Sequence, residues 1–185
     1  GKQHYVEPEG QYIFLFEGTA QSYVSYNIQL VKPDDVKSYW DLLQPRWKGR
    51  VVSDDPMIPG IVGHGTRYMY YNAELGPKFL ARLFGEAELT ISRDRRQRLD
   101  WLAGGKYAIC LFCYSVEDAK KQGLPVDSFG PYDFKEGASI VPITGAIALI
   151  NGSPHPNAAR VFINWFLSRE GQIAYQKSRL MALGG

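Results

Sequence analysis

The chain has 185 residues, 45% hydrophobic and 22% charged, which is the range of one globular domain able to bury roughly 70% of its unfolded surface without metals or disulfides. Its 21 basic and 19 acidic residues leave a net charge of +2, too little for the sequence-independent phosphate attraction of nucleic-acid binders, so no nucleic-acid partner is expected. Apolar runs such as Ala108 to Phe112 and Ala146 to Ile150 fall far short of the roughly 20 residues that cross a bilayer.

No basic stretch followed by an apolar one opens the chain, so a secretory signal is not visible. The first ten residues read as loop running into a strand-like Tyr12 to Phe16, and the chain is expected to begin inside a larger protein. Asp34 or Asp35 can cap a helix in which Val36, Tyr39, Trp40 and Leu43 recur at helical spacing, until Gln44 and Pro45 end it. A short strand, Arg50 to Ser53, follows. The turn-rich loop from Asp54 to Gly65 opens a helix at about Thr66 that runs to Leu75. Pro77 starts a second helix with Phe79, Leu80, Leu83 and Phe84 as its stripe.

Glu88 to Ser92 alternates like a strand, and Asp94 caps a helix carrying Leu99 and Leu102 that stops at Gly104. After a strand from Tyr107 to Phe112, Ser115 to Asp118 resembles a capping box and starts a short helix closed by Gly123. Ser139 to Ile150 holds two β-rich stretches broken at Thr144 and Gly145, read as the return through a hinge. Pro154 to Asn157 cap an amphipathic helix with Val161, Phe162, Trp165 and Phe166, and Ser168 to Ser178 forms one more. This alternation argues for an α/β fold, a mixed sheet with helices on both faces plus C-terminal helices.

Cys110 and Cys113 form a C-x-x-C, which at a helix N-terminus would be redox-active. Here the flanks read as a buried strand, whose period of two puts residues i and i+3 on opposite faces. Core packing is therefore expected, and a disulfide between them is geometrically awkward. His4, His64 and His155 show no metal spacing and read as loop histidines. The adjacent tyrosines Tyr70 and Tyr71 fall inside a helix, face different directions and read as packing.

Three segments carry a resemblance: Tyr26-Asn27 followed by Asp41 to Val52, Trp101 to Cys110, and Pro154 to Gln172. Together they resemble the ferric-iron-type branch of the extracellular solute-binding proteins, with the type 2 periplasmic-binding fold. The resemblance implies two lobes joined by hinge strands, of which most of the first is not in this chain. Residues 1–27 then lead from the first lobe into the hinge, 28–140 form the second, ligand-binding lobe, and 141–185 are the hinge return and C-terminal helices. It also implies a substrate-binding component of a bacterial ABC importer, periplasmic or extracellular, that takes a small-molecule solute to an ABC permease. No enzyme activity and no cofactor are implied. Exposed apolar side chains on the C-terminal helix are expected to favour self-association.

Ligands in such sheets bind beyond the carboxyl ends of the strands, where helix N-termini present N–H groups and partial positive charge. The candidate ligand-binding residues are Tyr26, Asn27, Asp54, Gly65, Thr66, Arg67, Arg93, Asp94 and Tyr114, with Arg95, Arg96 and Arg98 read as a solvated helix face. Ferric-binding relatives carry two adjacent tyrosines after the last strand of the second lobe. This chain has only Tyr114 there, so an anionic or polar organic solute ranks above iron, with a ligand-sensing domain as a further alternative.

Overall fold

The computed structural model of the chain describes residues 4–141 and 145–183. In chain order the elements are β1 (His4–Tyr5), β2 (Ile13–Leu15), β3 (Thr19–Gln21), β4 (Val24–Asn27), β5 (Val51–Ser53), α1 (Ile61–Tyr71), α2 (Gly76–Glu86), β6 (Thr90–Ile91), α3 (Arg95–Ala103), β7 (Ile109–Leu111), α4 (Val116–Lys121), β8 (Val126–Ser128), β9 (Ser139–Val141), β10 (Ala146–Ala148), α5 (Pro156–Phe166) and α6 (Arg169–Leu183). They divide into two units, one of residues 20–140 and one of residues 1–19 with 141–185. The chain passes between the units at β3 and β9, which form a two-stranded sheet. The larger unit thus begins at residue 20, within the stretch 1–27 that the resemblance implies leads from the first lobe into the hinge. The expected break at Thr144 lies outside the described residues.

The larger unit is built on a five-stranded sheet in the order β6-β5-β7-β4-β8. Within it β5 pairs in parallel with β6 and β7, whereas β4 runs antiparallel to β7 and β8. Strand alternation sends Val51, Ile109 and Leu111 into one cluster with Met69 of α1 and Phe79 and Leu83 of α2. Val52 and Cys110 point the other way, to Leu102 of α3 and Val116 and Ala119 of α4. With helices on both faces, Val51 and Val52 of β5 and all of β7 are apolar on both sides of the sheet.

Residues 33–47 form three short 3-10 turns, at Pro33–Asp35, Tyr39–Leu43 and Pro45–Trp47, where one α-helix was expected. Ser38 restarts the chain by accepting a hydrogen bond from the Trp40 N–H at 3.1 Å, while the Asp41 carboxylate accepts from the Lys37 and Ser38 N–H groups. Tyr39 and Leu42 are nevertheless fully buried. The strand expected over 88–92 is reduced to Thr90–Ile91, and β8 escaped sequence analysis because only Val126 of its three residues is fully buried.

The smaller unit has an antiparallel three-stranded sheet, β1-β2-β10, with α5 and α6. Phe16 packs edge-on against Phe166 and Tyr175. Gly171 lets the turn between α5 and α6 close, since a Cβ there would lie 2.2 Å from the Trp165 carbonyl oxygen. Val161, Phe162 and Trp165 are exposed on α5.

Candidate functional site

Because β5, β6 and β7 are parallel and in register at Ser53, Ile91 and Leu111, their carboxyl ends share one edge of the sheet. From β5 the chain turns toward β6, and from β7 it turns the other way, past β4 to β8. The edge between β5 and β7 is thus the point at which the connections diverge, where ligands bind in open α/β sheets. Three loops meet this edge: residues 54–60, 92–94 and 112–115.

The charges on this edge are answered within the chain. Arg98 is 0% exposed, and its Nη2 donates to Asp54 Oδ2 at 2.7 Å while Nη1 donates to the Ser92 carbonyl. Asp54 Oδ1 accepts from the Asp55 N–H at 2.9 Å. Arg98 therefore is no part of a solvated face. It lies four residues before Leu102 on the buried stripe of α3, a helical spacing that could have revealed it in the sequence. Among the described residues its Nε finds no hydrogen-bond partner.

Arg93, 74% exposed, donates from Nη2 and Nε to Asp55 Oδ2 at 2.7 and 3.0 Å. The Met57 N–H and the Arg93 guanidinium hold the Asp55 carboxyl below the usual carboxylate range. Asp94 caps α3, accepting from the Gln97 N–H at 3.0 Å, so its own carboxylate sits at the helix start proposed for an anion. Tyr114 lies beneath the Arg95 guanidinium, 4.1 Å from the ring centroid.

Gly65, Thr66 and Arg67 do not open a helix. α1 begins five residues before Thr66, at Ile61, where Gly60 supplies a φ of 107° that favours glycine. Gly65 serves packing, since a Cβ on it would fall 2.3 Å from Phe112 Cε1 and 3.1 Å from the Tyr23 ring. The Thr66 hydroxyl is bonded back to the Val62 carbonyl at 2.9 Å. Tyr26 and Asn27 lie at the other edge of the sheet, because β4 is antiparallel and places Val24, not Asn27, opposite Leu111. There the Asn27 Nδ2 donates to the Leu102 and Ala103 carbonyls, and Tyr26 packs on Phe129.

Arg67 lines an open depression of about 470 Å³ with His64, Tyr68, Tyr71, Asn72, Ala138 and Ser139. His64, Arg67 and Tyr71 fall on one face of α1. The Tyr68 hydroxyl donates to the Glu136 and Gly137 carbonyls, and the Asn72 Nδ2 donates to the Glu136 carbonyl at 3.0 Å, so these two form a fixed wall. Burial pushes the Tyr68 phenol pKa up. Among the described residues no acidic side chain lines the depression, and Arg67 forms no ion pair. Tyr70 and Tyr71, expected as packing, are 49% and 78% exposed, with rings edge to face at 5.1 Å.

Cys110 and Cys113 are joined in a disulfide, against expectation. β7 ends at Leu111, and Phe112 turns with φ 58°, so the two-residue period stops before Cys113 and the Cα atoms come within 5.8 Å. Ser115 follows with φ 57° and makes no side-chain cap to α4, so the expected capping box is absent there. Each of these left-handed residues costs about 1 kcal/mol or more unless its surroundings hold it.

The fold is similar to that of solved periplasmic binding proteins. The chain belongs to the family described as bacterial extracellular solute-binding protein, whose model matches residues 18–178. Iron-bound HitA from Pseudomonas aeruginosa is similar in fold, with a TM-score of 0.62 and 20% identity over 93% of this chain and 60% of that one. AfuA from Actinobacillus pleuropneumoniae, a periplasmic binding protein solved with exogenous fructose-6-phosphate, gives 0.56 and 18% over 91% and 53%. A two-component system protein that mediates signal transduction gives 0.62 and 23% over 89% and 53%. The chain thus spans about half to three-fifths of the solved structures it matches. No curated protein sequence matches it.

Proposed function

We propose that the larger unit captures a small anionic or polar organic solute as part of the substrate-binding component of a bacterial ABC importer, in the periplasm or outside the cell, with a membrane permease as its partner. The observation that carries this is the depression on α1, which offers a guanidinium and an imidazole without any acid, in a volume suited to a small molecule. The fructose-6-phosphate in AfuA, an anionic organic solute, supports the same class. Since this chain covers only 53–60% of the matching structures, it is read as one lobe with the hinge and C-terminal helices. A second lobe would close over the solute.

Iron is the first alternative, favoured by iron-bound HitA. A hard ferric ion favours phenolate and carboxylate oxygens, yet the Tyr68 hydroxyl already donates to two carbonyls and burial opposes its ionisation. Among the described residues no three His, Cys, Asp or Glu side chains gather as a metal site. A ligand-sensing domain is the second alternative, on the likeness to the two-component system protein.

Calorimetric titration with phosphate, citrate and sugar phosphates, beside ferric citrate followed by visible absorption, separates the solute classes. Heat from an anionic organic solute is expected, weaker for this chain than for a two-lobed protein containing it. A tyrosinate-to-iron band that disappears in Tyr114→Phe would return the assignment to iron.

A further inference from the structure

The turn that carries Tyr114 is held by few bonds besides the disulfide. Cys110 is fully buried among Val52, Leu102 and Val116, whereas Cys113 lies half-buried beyond the end of β7. The Phe112 N–H donates to the Tyr23 carbonyl at 2.9 Å, and the Phe112 ring presses on Gly65 of α1. Beyond Phe112, Cys113 and Tyr114 make no hydrogen bond among the described residues, and the Arg95 guanidinium lies over the Tyr114 ring. Two side-chain-bearing residues in left-handed backbone, Phe112 and Ser115, flank this stretch and relax unless their surroundings hold them.

We propose that Cys110–Cys113 is a thiol–disulfide exchange site, opened by a dithiol through Cys113, whose state sets the order of the turn at residues 112–115. A reductant thiolate attacks Cys113 Sγ, since Cys113 is the less buried residue of the pair. The S–S bond breaks, and its electron pair leaves on the Cys110 sulfur, which takes a proton. The second thiolate of the reductant then attacks the mixed disulfide, leaving Cys113 as a thiol and the reductant as a disulfide. Reduced Cys110 stays in place as a small apolar side chain, so β7 keeps both of its neighbours while the turn loosens. Because Phe112 touches Gly65 between His64 and Thr66, loosening reaches the α1 depression. That last consequence rests on the proposed function, and the exchange itself does not.

The test uses the whole chain and no solute, so its outcome is independent of the solute assignment. N-ethylmaleimide labelling of the folded chain, read by mass, is expected to add nothing before dithiothreitol. After it, Cys113 should label at least tenfold faster than Cys110. Amide exchange at residues 113–116 should accelerate at least tenfold, with β5 and β7 unchanged, and Cys113→Ser should show the same loosening without reductant. Labelling without reductant, equal rates at the two cysteines, unchanged exchange at 113–116, or exchange spreading through β5 and β7 would each overturn the proposal.

Discussion

Two regions of the larger unit carry arginines, and they differ in what answers the charge. At the strand edge Arg98 is buried against Asp54, Arg93 is paired with Asp55, and Arg95 lies over Tyr114. On α1, Arg67 stands in an acid-free depression beside His64. A cation matched within its own chain fastens one loop to another, as Arg98 ties the ends of β5 and β6 to α3. A cation left unmatched in a concave surface keeps its attraction for something outside. Sequence composition treats the two alike.

The comparison breaks most readily at Arg98. Arg98→Ala strands Asp54 as an unpaired buried charge and should destabilise the fold by roughly 3–5 kcal/mol in urea denaturation, with Asp54→Asn in the same chain recovering part of the loss. Arg67→Ala should leave stability within about 0.5 kcal/mol. An Arg98 variant as stable as the parent would show that the pair is not what fastens the edge.

Binding gives the next effect. Once the calorimetric screen has found an anionic solute, Arg67→Ala should weaken it by about 1.5–3 kcal/mol, roughly 10- to 150-fold in Kd, while Arg93→Ala stays within about twofold because Asp55 already holds that guanidinium. The reverse order of losses would move the site to the strand edge.

Gly65→Ala sharpens the comparison from the packing side. A methyl group 2.3 Å from Phe112 Cε1 must shift α1 or the turn, at a cost of roughly 1–3 kcal/mol, with no change expected at the Arg98 pair. A neutral result would mean that α1 moves freely against Phe112.

The smallest effect is in pH. The folded Asp55 carboxyl is held below its ordinary range, so the stability it contributes is present above the unfolded pKa and disappears as pH falls through the folded one. Nuclear magnetic resonance titration should show Asp55 protonating below an ordinary carboxyl, with loop residues 55–57 losing exchange protection in step. Titration at the ordinary value would remove Arg93 and Met57 as its partners.

Much of the fold was legible from local pattern. Gly104 and Gly123 stop helices, Asp94 caps α3, and Phe79 and Leu83 repeat at helical spacing, because these signals act between residues a few positions apart. The same nearness explains why the Pro154 to Gln172 stretch could carry a family resemblance. The site was harder to read. Nothing in the Tyr26-Asn27 segment itself states that β4 runs against β7, which is what sets these residues at the edge away from the loops that follow β5, β6 and β7.

What the sequence by itself determined, then, was an alternating α/β chain of the solute-binding family, its helix stops and its apolar stripes. Only the tertiary structure decided that Arg98 is buried against a residue 44 positions away, that Arg93 meets one 38 away, and that Phe112 bends back to bring Cys113 to Cys110. The reason is physical: helix periodicity and caps are short-range, whereas the partner of a charge and the direction of a strand depend on sheet order, which long-range packing selects.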